Sequence, residues 1–263
     1  MKADGLTAVQ MLTITRELRQ FEAVFLERTA HDMAVRARVF DLNEELPFAG
    51  HPLLGAAAAL HHQDGAAGCC DCTLLLGSRS VRIRTTATDR GFAAIMDQGR
   101  PSFGQVIEDR ECVAAAFSLS PADITPGLPV EVVSTGLAYM IVPVSADALT
   151  QAHIRSDLTP LLARFRAQFA VLLDESAVEI RHWNNDGVLE DVATGSAAGT
   201  IGAYRLKHGL AKDAQEFLIR QGRFAGRPSE IRVAAYGTTE SVDAVSVGGP
   251  VVVVGRGELE RLP

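Results

Sequence analysis

Apolar positions recur at helical spacing across residues 7–19: Val9, Leu12, Ile14 and Leu18, with Ala8 and Met11 beside them. This pattern predicts an amphipathic helix. Thr7 suits its N-cap, where a side-chain oxygen can accept from the free amides of the first turn. The period then drops to two. Residues 21–26 and 35–40 read as strands, and Val35-Arg36-Ala37-Arg38-Val39 alternates as a half-exposed strand does. The polar stretch 27–33 between them predicts a hairpin with a longer loop. Residues 53–60 are small and apolar throughout, which predicts a helix buried on nearly all sides. Residues 73–76, 80–85 and 92–96 read as strands with Gly77 and Gly91 in their turns, and 106–117 reads as a helix.

Residues 118–129 hold three prolines and one glycine. They predict a linker over 119–128, dividing an N-terminal domain, 1–118, from a C-terminal domain, 129–263. Beyond it, strands are expected at 130–133 and 137–144. A helix at 158–169 is introduced by Ser156 and Asp157, and strands follow at 171–173 and 178–183. A second small-residue helix, 196–208, is stopped by Gly209. Further strands are expected near 216–221, 230–235, 243–247 and 251–254.

The two halves rhyme. Each runs from strands through an acidic residue and a glycine into a small-residue helix. Glu45 precedes Gly50 by five residues, and Glu190 precedes Gly195 by five. The repetition suggests two similar α/β domains facing one another.

Composition narrows the function. With 47% hydrophobic and 22% charged residues the chain can build a real core, so disorder is excluded. No run is long and apolar enough for a membrane helix, and the N-terminus has no apolar segment typical of a secretory signal. A net charge of −7 without a basic run disfavours nucleic acid and anionic membrane as partners. A cytoplasmic protein acting on a small molecule is expected. Cys69, Cys70 and Cys72 lack the paired spacing of a metal site, so loop or strand-edge thiols are expected and no metal centre is.

Both helix starts offer chemistry. Free first-turn amides and a partial positive charge could receive a carboxylate or a developing oxyanion. Gly50 and Gly195 would let the backbone approach a ligand. His51 is either an N-terminal cap or an acid/base group with an accessible pKa. Glu190 and Asp191 are either capping acids or groups that orient an amine or hydroxyl. Ser196 invites a nucleophile reading, but Gly195-Ser196-Ala197-Ala198-Gly199 is not the hydrolase elbow. The glycines do not fit a dinucleotide fingerprint either. His61 and His62 fall at a polar helix end and are expected on the surface. Glu22 reads as an edge glutamate from pattern alone.

Two longer motifs carry a family resemblance. Asn43-Glu44-Glu45-Leu46-Pro47-Phe48-Ala49-Gly50-His51-Pro52-Leu53-Leu54-Gly55 and Glu190-Asp191-Val192-Ala193-Thr194-Gly195-Ser196-Ala197-Ala198-Gly199 closely resemble the signatures of the PhzF-like isomerases of phenazine biosynthesis. Gln221-Gly222-Arg223, Gly226-Arg227-Pro228-Ser229 and Val247-Gly248-Gly249 resemble its C-terminal pattern. The resemblance implies the diaminopimelate-epimerase-like fold: two α/β domains related by a pseudo-two-fold, each a curved sheet around a central helix. The site would lie between them at the helix N-termini. It also implies a homodimer and cofactor-free proton transfer of the trans-2,3-dihydro-3-hydroxyanthranilate isomerase type. On that pattern Glu22 shuttles the proton, His51 and Asp191 orient the substrate, and Gly50, Gly195 and Ser196 belong to the backbone that holds it. A carboxyl in a closed, partly apolar site can exchange a proton in both directions. Related epimerases place two cysteines where this chain has Ala49 and Thr194, so a two-cysteine racemase is excluded at those positions.

The chain departs from the family in two places. It reaches its first helix by Thr7 without the usual preceding strand and Gly-Asn-Pro turn, so an unpaired sheet edge is expected beside Glu22. Phe21 stands where the family usually has serine, which removes a hydroxyl next to the glutamate. These departures keep open an alternative: a catalytically silent binding or scaffold protein on the same fold.

Overall fold

The structure, a computed structural model, describes residues 5–20, 22–29, 34–77 and 79–261. The chain forms two compact units, residues 1–97 with 248–263 and residues 98–247.

In the first unit α1 (Ala8–Glu17) begins at the expected cap. The Thr7 hydroxyl accepts from the Gln10 amide at 3.3 Å, and the Gln10 side chain accepts from the Thr7 amide at 3.1 Å. This reciprocal box satisfies two otherwise orphaned donors. Met11 and Ile14 bury against Phe25 and Phe40, whose rings meet edge to face 5.5 Å apart. β1 (Glu22–Arg28) and β2 (Ala34–Asp41) form the predicted antiparallel hairpin, in register from Glu22↔Asp41 to Arg28↔Val35. The loop positions 30–33 and Phe21 lie outside the described residues.

β3 (Glu45–Leu46) turns back on β2 and leads into α2 (Gly50–Asp64). β4 (Cys69–Leu75), β5 (Ser80–Thr88) and β6 (Gly91–Gly99) complete the order β1-β2-β4-β5-β6, with β1 at its end. Leu53, Ala57 and Leu60 of α2 pack on Val39, Leu74 and Ile83 of the sheet. The alanine-rich stretch lets the helix lie close to the strands. Leu53 is fully buried, so truncating it to alanine would cost about 2–5 kcal/mol.

The second unit contains β7 (Ser102–Ile107), α3 (Arg110–Ala116), β8 (Val130–Ser134), β9 (Ala138–Pro143), α4 (Ala146–Gln151) and α5 (Thr159–Arg164). It continues with β10 (Phe169–Asp174), β11 (Glu179–Trp183), β12 (Glu190–Asp191), α6 (Gly195–Lys207), β13 (Phe217–Gln221) and β14 (Ser229–Gly237). β15 (Val242–Val251) starts in this unit and ends in the first. The order is β15-β14-β13-β11-β10-β9-β8-β7, and β12 pairs with β11.

Both faces of this sheet are covered. Tyr139, Ile141, Val171 and Leu173 point to the core that holds α6, while Met140, Val142 and Leu172 point to the core of α3, α4 and α5. Central strands buried on both sides read as unbroken apolar runs, as 137–144 and 171–173 do, whereas 130–133 is interrupted by Glu131, which is buried against Lys207 and His208.

Several expectations are corrected. Residues 106 and 107 end strand β7, which pairs with β8. The helix starts only after Asp109, whose carboxylate accepts from the Cys112 amide at 3.0 Å. The helix expected at 158–169 ends at Arg164, because the chain reverses through a positive φ of 56° at Arg166 and enters β10 at Phe169. Residues 119–128 are packed into the second unit rather than linking domains. Ile124 is buried and bridges Val144, the Thr125 amide donates to Pro143 O at 2.9 Å, and Arg110 donates to Leu128 O at 3.0 Å. The expected split at 118 therefore moves to 97, and residues 248–263 return to the first unit. Val252, Val253 and Val254 are exposed and lie beyond β15.

His61 is also corrected: it is fully buried, not on the surface. α2 continues past Leu60 to Asp64, so His61 falls on the inner face, 2.8 Å from the Thr85 hydroxyl and 3.1 Å from Ala66 O. The three clustered thiols lie at the start of β4, where Cys69, Cys70 and Cys72 pair with Thr86, Thr85 and Ile83 of β5. Burial pushes the Cys72 thiol up to about 11, so it stays protonated at neutral pH.

Candidate active site

Glu22, Gly50 and His51 come together in the first unit. Glu22 is the first residue of β1 and Gly50 the first of α2. Ala49 caps the helix in an extended conformation, φ −148°, and makes no side-chain capping bond. His51 Nε2 lies 3.0 Å from Glu22 Oε2. The carboxylate is mostly covered, with 12% of its side chain exposed, whereas the imidazole is 67% exposed. The imidazole thus reaches from solvent onto a sheltered carboxylate.

The entry to α2 is braced by Arg38, on β2, which clasps Glu45 of β3 through two bonds of 2.8 and 2.5 Å. That bidentate contact holds the Glu45 carboxyl below its usual range and raises Arg38.

Asp191, Gly195 and Ser196 come together in the second unit. β12 carries Asp191 opposite His182 of β11. Asp191 Oδ1 accepts from the Val192 amide at 2.7 Å and the Ala193 amide at 3.4 Å. Asp191 Oδ2 accepts from the Thr194 hydroxyl at 2.6 Å. The carboxylate therefore stiffens the loop before α6 without capping the helix, whose N-cap, Thr194, makes no side-chain capping bond either. Glu190 does not cap. It takes two bonds from Arg181, at 3.0 and 2.7 Å. Arg181 also donates to Leu149 O and Ala152 O and lies between the rings of Trp183 and Phe224, at 4.3 and 4.2 Å.

Four residues that sequence reasoning gave no role surround this start of α6. Gln221 is buried and bonds both the Thr194 amide and the Asp191 carbonyl. Gln98 donates to Gly195 O at 3.0 Å and accepts from the Thr135 hydroxyl at 2.7 Å. A methyl at Gly199 would run into this Gln98 amide, so a larger residue there would require Gln98 to shift. Tyr139 OH lies 2.8 Å from Ser196 Oγ, and burial pushes its pKa up to about 12.

His182 packs against Tyr139 and Phe169, with Nδ1 2.9 Å from Ala170 O. A carbonyl only accepts, so that nitrogen carries the proton. Burial pushes the His182 pKa down and keeps the ring neutral. A protonated tyrosine hydroxyl beside Ser196 is no general base. Gln221 belongs to the Gln221-Gly222-Arg223 motif, so its position was visible and its role was not. Tyr139, His182 and Gln98 left no local signal, because their partners are distant in sequence.

Among the described residues no group of His, Cys, Asp and Glu is arranged to hold a metal ion. No helix there is long and apolar enough to cross a membrane.

A family model described as phenazine biosynthesis-like protein matches residues 1–257. A trans-2,3-dihydro-3-hydroxyanthranilate isomerase from Pseudomonas fluorescens is 33% identical over 268 residues, covering 98% of this chain and 90% of the relative. The solved structure of a predicted epimerase from Pseudomonas aeruginosa matches with a TM-score of 0.88 at 46% identity, covering 99% of this chain and 91% of that one. A PhzF-family phenazine biosynthesis protein from Bacillus anthracis matches with a TM-score of 0.79 at 25% identity, covering 94% and 87%.

Proposed function

The chain belongs to the phenazine biosynthesis-like protein family, and from that premise we propose that it is a cofactor-independent isomerase that moves a double bond in a small cyclic substrate by proton transfer. The substrate class follows relatives named as trans-2,3-dihydro-3-hydroxyanthranilate isomerases. The observation that carries the reading is the pairing of Glu22 with His51 at 3.0 Å beside the start of α2.

In this reading the Glu22 carboxylate takes a proton from one ring carbon. The C–H electrons enter the conjugated system, and the carboxylic acid returns the proton to another carbon. The net change is a shifted double bond, with no electron gained or lost. His51 lies against the carboxylate between transfers and orients the substrate from its exposed side. Asp191 accepts from a hydroxyl or amino group of the substrate. The first-turn amides at Gly50, Gly195 and Ser196 receive its anionic part. By the same family reading the protein works as a cytoplasmic homodimer.

The test is turnover of trans-2,3-dihydro-3-hydroxyanthranilate in deuterated water, followed by NMR. We expect conversion with deuterium entering the ring. Glu22→Gln should fold normally and lower kcat at least about 10²-fold, the lower range for a general acid–base group. Unchanged turnover in that variant would reject Glu22 as the proton carrier. Absence of conversion by the folded wild type would reject this substrate.

A further inference from the structure

The hydrogen bonds around Gln221 have only one consistent direction. An amide N–H can only donate, so the bond of 2.8 Å from Thr194 N identifies the Gln221 side-chain oxygen as acceptor. A carbonyl can only accept, so the bond of 2.8 Å to Asp191 O identifies the other atom as the NH₂ group. These two backbone contacts fix the orientation of the side-chain amide independently. Its second N–H donates to Thr194 Oγ1, again at 2.8 Å. The Thr194 hydroxyl must then spend its own hydrogen elsewhere, and Asp191 Oδ2 lies 2.6 Å away. Asp191 Oδ1 already accepts from the Val192 amide. Both oxygens of Asp191 are therefore acceptors, and the direction is set by a residue 30 positions away in sequence.

We propose that Gln221 and Thr194 are positioning residues that hold Asp191 as an obligate hydrogen-bond acceptor and deny it the role of proton donor. The geometric part stands by itself. Its consequence for catalysis rests on the reading that Asp191 faces substrate: Asp191 would orient a hydroxyl or amino group, and proton transfer would belong to the Glu22 side alone. From the neighbouring strands, His182 on β11 and Tyr139 on β9 feel the Asp191 charge, and burial favours the neutral form of both. The adjacent Glu190 is neutralised by Arg181. The hydroxyl relay is thus the contact to perturb.

The experiment reads Asp191 directly. Carboxyl ¹³C shifts of the full chain are titrated by NMR, with D191N used for assignment. Thr194→Val removes the donor and should move the Asp191 midpoint up by about one unit, the loss of one hydrogen bond to the charged form. Thr194→Ser keeps the hydroxyl and should restore the wild-type midpoint. Gln221→Glu replaces the NH₂ donor with an acceptor that competes for the Thr194 hydrogen, and should also move the midpoint up. A wild-type midpoint in folded T194V, or in folded Q221E, would overturn the proposal. So would a shift in T194S as large as that in T194V. If Q221E fails to fold, the valine and serine pair still decides. Where turnover is measurable, the acid limb of kcat/KM should move with the NMR midpoint in T194V. The titration needs no turnover, so failure of the proposed reaction and failure of this inference are separable.

Discussion

The starts of α2 and α6 are built from the same pattern and secured to different degrees. In each, an arginine on one strand clasps a glutamate on a two-residue strand paired beside it, and five residues after that glutamate a glycine opens a helix. At α2 the pair is Arg38–Glu45, with side chains 28% and 42% exposed. At α6 it is Arg181–Glu190, with 10% and 13% exposed. The α6 start also has Gln221, Gln98 and Tyr139 bonded to three successive residues, Thr194, Gly195 and Ser196. The α2 start has an alanine cap without a side-chain bond, and an exposed imidazole touching a sheltered carboxylate. One junction is a rigid hydrogen-bonded frame and the other leaves its histidine on the surface. A repeated motif can therefore be locked by buried hydrogen bonds in one place and left open to solvent in the other.

The sharpest way to break this comparison is to remove the two arginines. Arg181→Ala leaves Glu190 sheltered without its cation and strips donors from Leu149 O and Ala152 O. We expect a loss of about 3–5 kcal/mol in urea unfolding, the cost of breaking a buried pair. Arg38→Ala should cost no more than about 1 kcal/mol, as exposed pairs do. Equal losses would show that the two junctions are not secured differently.

The helix glycines give a smaller contrast. Gly199→Ala drives a methyl into the Gln98 amide and should destabilise by about 1–3 kcal/mol. Gly55→Ala in α2 meets nothing within 4 Å and should stabilise by up to about 1 kcal/mol through helix propensity. Smaller again, Tyr139→Phe removes the bond to Ser196 and should cost about 1 kcal/mol. Opposite signs for the two glycines in thermal melts would sharpen the comparison; a stabilised G199A would show that Gln98 gives way easily.

The pH dependence should separate the two regions by window. His182 has a folded pKa below its ordinary value of 6.5, so the unfolded chain binds more protons between the two values. Stability should therefore rise with pH up to about 6.5. His182→Gln should flatten that slope in unfolding measured from pH 5 to 7. Glu45 has a folded pKa below its ordinary 4.5, so its contribution is present above 4.5 and is lost as pH falls through the folded value. An Arg38→Ala variant should lose that acid-range dependence and keep the slope below 6.5.

The hairpin of β1 and β2, the capped α1 and the two small-residue helices were legible because their signals are local: a period, a capping hydroxyl, a run of alanines. The boundaries at 107 and 164 were not, because strand pairing of β7 and β10 overrode helical propensity there. The proline-rich segment 119–128 looked like a linker because prolines disfavour regular elements. A buried isoleucine and bonds to Pro143 and Leu128 pack it all the same. Among the candidate residues, His51 and Asp191 lie in the motifs, and only the family resemblance pointed to Glu22. The contact of Glu22 with His51 joins residues 29 apart, and no spacing rule reaches that far.

By itself the sequence determined the mixed α/β class, the family and the two glycine-led helix starts, since periodicity, composition and contiguous motifs are properties of neighbouring residues. Tertiary structure alone decided which arginine pair is buried, which histidines are core, and which way the hydrogen bonds run through Gln221 and Thr194 to Asp191. Those outcomes depend on desolvation and on donors brought together from distant strands, and both come into being only when the chain folds.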